Sequence, residues 1–148
     1  MVTDSRLGLL DTSTVILLDR IDDVAALPET SVISSVTLAE LTIGPLLATT
    51  DADRVVRQAH LQQAEADFEV LPFDAAADRA FGRVSAALRS AGRKPTSRAF
   101  DALIAATALA HNLPLYTCNP ADLADLDGLD GLDGLDGLDV RAVPHPDH

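Results

Sequence analysis

The sequence has one cysteine, no long uninterrupted apolar run and few basic residues, and each shortage removes a class of protein. A single thiol, Cys118, cannot close an internal disulfide, so a disulfide-stapled scaffold is excluded. The N-terminal apolar stretch is broken by Asp11 and Asp19 and no basic segment precedes it, which leaves it far short of the ~20 apolar residues of a membrane span. A cytoplasmic protein that does not enter membranes is expected. His60, His111, His145 and His148 show no metal-ligand spacing, and nothing identifies a Ser or Cys nucleophile near a histidine. No glycine-rich phosphate loop is present, which argues against a nucleotide cofactor.

What is present begins with charge. The chain carries 11 Lys and Arg against 23 Asp and Glu, a net charge of −12, a balance that opposes binding to phosphates. The distribution is uneven, however. Seven aspartates lie from Asp122 to Asp139, whereas Arg79, Arg83, Arg89, Arg93, Lys94 and Arg98 fall in the twenty residues 79–98, just before Asp101. A solvated helix face accounts for such a basic run, and a basic rim beside an acidic pocket is compatible with it. At 148 residues and 47% hydrophobic content, the chain can bury one good core, and 1–148 is read as a single domain.

Short apolar runs alternate with longer helical patterns. Leu7 to Leu10, Ser31 to Ser34, Glu69 to Phe73, Leu113 to Thr117 and Val140 to Val143 read as strands. Val36 to Ala48 reads as a helix bent at Pro45, followed by helices over Asp51 to Phe68 and Asp74 to Ala91, the last stopped by Gly92. Ser97 is placed to cap a helix running to about His111, with Asn112 in the left-handed position after it. This alternation predicts an α/β fold, a mostly parallel central sheet with helices on both faces, and a ligand site beyond the carboxyl ends of the strands.

Three acids interrupt apolar patterns. Asp11 ends the run Leu7 to Leu10, Glu40 shares a helical stripe with Val36, Ile43 and Leu47, and Asp101 shares one with Ile104, Ala105 and Ala108. Burying an isolated carboxylate costs several kcal/mol or protonates it, so a cation or a dense hydrogen-bond network is expected nearby. Each acid also has a plainer role. Asp11 suits a helix cap, Glu40 a buried arginine partner and Asp101 the positive end of a helix dipole. Asn119, Pro120 and Asp122 fit the cap, first and third positions of a short helix.

LLDTSTVI (Leu9 to Ile16), SSVTLAELTIG (Ser34 to Gly44), FDALIAATALAHNLPLYT (Phe100 to Thr117) and TCNPADL (Thr117 to Leu123) occur in the order and spacing of PIN-domain ribonucleases. The chain resembles in particular the VapC toxins of toxin-antitoxin pairs, over nearly its whole length to about Asp125. The resemblance implies a PIN-like fold and a Mg²⁺-dependent endoribonuclease, with Mn²⁺ a substitute. Its substrate would be cellular RNA such as tRNA or rRNA, and a VapB-type antitoxin would neutralise it. The resemblance also favours a homodimer. Carried over residue by residue, Asp11, Glu40 and Asp101 match the metal-binding acids, and Asp122 matches the fourth, with Asn119 as its possible helper. A housekeeping or DNA-cleaving nuclease of the same fold, or an interaction module without activity, stays open.

Chemistry supplies a separate reason for this set. Magnesium prefers oxygen ligands at ~2.0–2.1 Å and retains several waters, so a few carboxylates suffice. The expected division of labour has Asp11 and Asp101 holding the ion directly, while Glu40 and Asp122 act through waters or orient the attacking water. Ser13 and Thr117 would fix carboxylates or the scissile phosphate by hydrogen bonding.

The tail departs from the family. From Leu126 the triplet Leu-Asp-Gly occurs four times, ending in Leu138 and Asp139, where relatives have a short connection. It reads as an expanded, flexible surface loop over about 126–139, and it puts the placement of the last strand in question.

Overall fold

The computed structural model describes residues 6–94, 99–131 and 137–147. Five strands, β1 (Leu7–Leu10), β2 (Thr30–Ser34), β3 (Glu69–Leu71), β4 (Leu115–Thr117) and β5 (Val140–Ala142), form one sheet in the order β3-β2-β1-β4-β5. Every pairing is parallel. The α/β expectation therefore holds, and the last strand takes its place at the sheet edge despite the repeat before it.

Among the described residues five α-helices connect and cover the strands: α1 (Thr12–Leu17), α2 (Ser35–Leu47), α3 (Asp51–Asp67), α4 (Ala75–Ser90) and α5 (Ala99–Ala110). Successive strand residues point to opposite faces, which divides the core in two. Leu9, Val32 and Leu115 pack with Ala80, Val84 and Leu88 of α4 and the small residues of α5. Leu10, Ile33 and Tyr116 pack instead with Val15 of α1, Leu41 of α2 and Ala64 of α3. Helices thus lie on both faces, and each fully buried Leu or Ile contributes about 1.5–3 kcal/mol. Gly8 is required on the second face, because a Cβ there would run into the Tyr116 ring and Pro28.

Local chemistry sets the helix ends. Ser34 caps α2, its Oγ accepting from Val36 N at 3.0 Å; Thr50 and Asp74 cap α3 and α4 in the same way. Gly92 adopts φ +77° and Asn112 φ +54°, the left-handed geometry that ends α4 and follows α5. Pro45 lies in the last turn of α2, which ends two residues later. Ser97, the expected cap of α5, falls outside the described residues.

Two expectations need correction. The stripe shared by Glu40, Ile43 and Leu47 is not the core face of α2: Val36, Thr37, Leu41 and Pro45 are buried, whereas Ile43 and Leu47 are exposed. Of that stripe, Glu40 lines the hollow between α2 and α3, beside Leu41 and Gly44. Nor are the ends of the Leu-Asp-Gly repeat a loose surface loop. Leu126 and Leu138 are buried in the core, Leu129 packs against it, and Gly128 N and Leu138 N donate to Leu138 O and Leu129 O at 2.8 and 2.7 Å. Pairing at the neck returns the chain to β5 whatever lies between.

Candidate active site

The strand order reverses direction at β1, since β2 and β3 extend to one side and β4 and β5 to the other. At such a switch point the loops leaving adjacent strands diverge and open a crevice at their carboxyl ends. Asp11 follows β1 and Asn119 follows β4, so both enter that crevice. Glu40 reaches it from α2 and Asp101 from the first turn of α5. Ser34 Oγ and Thr107 Oγ1, both buried, are 3.2 Å apart and tie the start of α2 to α5. Because Thr107 Oγ1 donates to Leu103 O, Ser34 supplies the proton of that bond.

Asp11, Glu40, Asp101, Asn119 and Asp122 line one cavity of about 220 Å³, together with Thr12, Ser13, Ile16 and Leu123. Four of the five residues expected at the pocket's acidic positions are carboxylates, and the structure brings all five together. Asn119 and Asp122 both line the cavity and are both exposed, Asp122 on a 3₁₀ turn, Pro120–Leu123, so the cavity has room for either as the fourth member.

The carboxylates are held in different ways. Asp11 is 7% exposed and accepts from Ser13 Oγ (3.0 Å), Thr14 N (3.0 Å) and Thr14 Oγ1 (2.6 Å) on Oδ1, and from Thr117 Oγ1 (2.5 Å) on Oδ2. The bond from Thr14 N makes Asp11 the N-cap of α1, so the plainer role and the pocket position coincide. Thr117 Oγ1 also accepts from Asn119 N at 2.9 Å, which fixes the turn leaving β4 against Asp11.

Glu40 Oε1 accepts from Thr12 Oγ1 at 2.6 Å, and Thr12 Oγ1 lies 3.0 Å from Thr37 Oγ1. Thr12 has one proton and gives it to the carboxylate, so Thr37 is the donor in the second bond. The partner is this threonine relay and not the buried arginine of the plainer role. Burial raises the Glu40 pKa above its ordinary value, the Thr12 bond opposes the rise, and the charges of Asp101 and Asp11 add to it. Crowded acids of this kind favour either a proton or a cation between them.

Thr12, Thr14 and Thr37 were not among the sequence candidates. A signal was available for two of them: a Thr-Ser-Thr run directly after an acid at a strand end supplies hydroxyls to the first turn of a helix. Thr37 gave none, because its partner is 25 residues away.

The donor set is all oxygen, which fits a hard divalent cation and not zinc. Among the described residues no three His, Cys, Asp or Glu side chains converge to hold an ion by themselves. A cation that keeps part of its water shell is the kind these spaced carboxylates suit.

A second, larger hollow of about 360 Å³ adjoins the first, sharing Thr12, Ile16 and Glu40 with it and continuing over Leu41, Gly44, Asp53, Val56, Arg57 and His60. It lies between α2 and α3, and Ile43, Leu46, Leu47 and Val55 on the same two helices are exposed. Arg57 crosses between them, pairing with Asp53 and donating to Gly44 O at 3.0 Å.

Residues 9–129 match the PIN domain family. The chain is 40% identical over 119 residues to Ribonuclease VapC5 of Mycobacterium tuberculosis, which covers 79% of this chain and 86% of that relative. It is 38% identical over 101 residues to Ribonuclease VapC8 of the same species, covering 68% and 89% respectively. Among solved structures it resembles a member of the VapBC family of toxin-antitoxin systems, VapBC-5 of M. tuberculosis. The TM-score there is 0.76, the identity 36%, and the match covers 93% of this chain and 99% of that one.

Proposed function

The chain belongs to the PIN domain family, and on that premise we propose that the acidic cavity is the active site of a Mg²⁺-dependent endoribonuclease acting on tRNA or rRNA, with Mn²⁺ able to replace Mg²⁺. The protein is a ribonuclease and the toxin member of a type II toxin-antitoxin pair. The observation that carries the site assignment is the gathering of Asp11, Glu40, Asp101 and Asp122, from four separate segments, around one cavity at the sheet's switch point.

In this reading Asp11 and Asp101 would hold the cation, and Glu40 and Asp122 would act through waters. A bound divalent ion lowers the pKa of a water and neutralises charge that gathers on the phosphoryl oxygens. The protein supplies position. Asp11 is fixed by donors on both oxygens and presents its charge without rearrangement. Thr12 occupies Glu40 Oε1, which leaves Oε2 to orient the attacking water and take its proton. Asn119, anchored through its backbone to Thr117, sets the rim that carries Asp122.

The neighbouring hollow between α2 and α3 is the surface assigned to a VapB-type antitoxin. Its apolar rim suits a partner segment, and it opens into the acidic cavity through Glu40, so a bound partner would close the site. A homodimer would bury further exposed apolar surface. The chain is assigned to the cytoplasm as a single functional domain; among the described residues no helix is long and apolar enough to cross a membrane.

The test is cleavage of total cellular RNA by purified, antitoxin-free protein in Mg²⁺, Mn²⁺ or EDTA, beside an Asp101→Asn variant. Discrete cuts that require metal and vanish in the variant are expected. Metal-independent cutting, or full activity in Asp101→Asn, would remove the cavity from the mechanism.

A further inference from the structure

The protein is strongly acidic, yet among the described residues three arginines are left without an acid. Arg6, Arg20, Arg54, Arg57, Arg93 and Arg141 each pair with a carboxylate. Arg79, Arg83 and Arg89 form no such pair among the described residues, and all three are exposed on one helix, α4. With 23 acids in the chain, chance placement would leave carboxylates unpartnered, not arginines. The opposite side of α4 carries Ala77, Ala80, Val84 and Leu88 into the core, so the arginines occupy the outer face by default of the helical period.

Two features make that face costly for the helix itself. Arg79 and Arg83 are four residues apart, a like-charge spacing that destabilises a helix. Gly82 lies between them in the helix interior, exposed, with no atom within 4 Å of where a Cβ would stand, so packing does not demand glycine there. Ala86, also exposed, continues the bare strip toward Arg89. The outcome is a smooth ridge of backbone and small side chains edged by unpaired guanidinium groups.

From Arg79 to Arg89 the ridge is roughly 15 Å long at 1.5 Å per residue, about the length of four stacked nucleotides at 3.4 Å each. Its C-terminal end is linked to the active-site side of the molecule. Arg93, just beyond α4, pairs with Asp125 at 3.0 Å, three residues after Asp122, and α4 packs along α5, whose first turn holds Asp101.

We infer that the outer face of α4 is a docking surface for the phosphodiester backbone of the RNA substrate, gripping the strand away from the bond that is cut. Charge complementarity selects this occupant, since the acidic cavity repels phosphate and the chain needs a separate basic surface to recruit it. The inference rests on the ribonuclease reading. It assigns Arg79, Arg83 and Arg89 to binding and not to chemistry, and it predicts recognition of backbone without regard to base.

The experiment compares Asp101→Asn protein with the same protein carrying Arg79→Ser, Arg83→Ser and Arg89→Ser, titrated by fluorescence anisotropy with a labelled 20-nucleotide RNA at several salt concentrations. Wild-type cleavage is measured in parallel and reports on the ribonuclease reading by itself. The triple change should weaken binding about tenfold and lower the slope of log affinity against log salt by roughly 2, from ~0.7 per lost phosphate contact. A triple Arg→Lys variant should bind nearly as the parent does, because charge and not shape is at work. In otherwise wild-type protein, the triple Ser change should raise KM and leave kcat near its original value. Unchanged affinity and salt slope would overturn the inference even if the wild type cleaves RNA. Loss of antitoxin binding with RNA affinity intact would likewise overturn it and assign the ridge to a protein partner. Reduced RNA affinity alongside an inert wild type would keep the surface and sink the ribonuclease reading.

Discussion

Asp11 and Glu40 border the same cavity and are built on opposite plans. Asp11 is almost fully buried and accepts four hydrogen bonds, from two side chains of α1, one α1 backbone amide and one hydroxyl at the end of β4. Glu40 is half-buried, has one relay through Thr12, and feels the charges of its neighbours as well as the cost of burial. The first is a charge the fold has already stabilised. The second is a charge the fold tolerates, in a place where a cation would relieve it. A site needs both: a fixed ligand gives position, and an under-compensated one supplies the affinity that draws a cation in.

The sharpest way to break the comparison is Asp11→Asn. Asparagine caps helices as well as aspartate does, so α1 should persist and the thermal midpoint should move little. The charge disappears, however, and cleavage should fall on the order of a thousandfold, the loss typical when a preorganised electrostatic group is removed. Single-turnover cleavage together with circular dichroism melting separates the two roles. Activity within tenfold of wild type would mean that Asp11 is only a cap.

Thr117→Val attacks the support and not the ligand. The isosteric change removes the donor to Asp11 Oδ2 and the acceptor for Asn119 N, leaving a backbone amide and a carboxylate oxygen short of partners. A stability loss of about 1–3 kcal/mol is expected from the unsatisfied groups. The metal concentration for half-maximal cleavage should rise about tenfold to a hundredfold, as for other groups that orient ligands from behind. Urea unfolding and a Mg²⁺ titration measure the two effects. If stability falls and the metal requirement does not, Thr117 serves the fold alone.

Much of this contrast was legible before the structure. Asp11, Glu40 and Asp101 stand out in sequence because each interrupts an apolar period, and the parallel sheet follows from alternating short runs and long helical patterns. The strands Glu69–Leu71 and Leu115–Thr117 are shorter than their apolar runs, because β2 ends at Ser34 opposite Leu71, while β5 begins only at Val140 opposite Leu115 and Pro114 has no N–H to donate. The surroundings of Glu40 were misread: the period of α2 does not say which of its two apolar stripes meets the sheet, and the stripe with Ile43 and Leu47 turned out to be the open one. The Leu-Asp-Gly repeat looked featureless because its leucines have no helical or strand period. Only the fold shows that Leu126 and Leu138 fill the core and that Leu129 packs against it. Composition was also a poor guide to surface chemistry, since a net charge of −12 conceals an unpaired basic ridge on α4.

The smallest effect belongs to Glu40, and its sign follows from the direction of its pKa. A carboxyl whose folded value is raised above 4.5 binds its proton more tightly in the native state than in the unfolded chain. Its contribution to stability is therefore most favourable below the unfolded value and is lost as pH rises through the raised folded value. Above that window the metal-free protein carries a carboxylate it would be more stable without. Glu40→Gln, which keeps an acceptor for Thr12 and removes the charge, should be matched with wild type at low pH and gain on it modestly toward pH 7. Mg²⁺ should erase that advantage, because the cation compensates the charge in wild type and has less to bind in the variant. Urea midpoints of both proteins across this pH range, with and without Mg²⁺, decide the matter. A difference independent of pH would show that burial and neighbouring charges leave Glu40 unperturbed, and the contrast with Asp11 would then rest on hydrogen bonding alone.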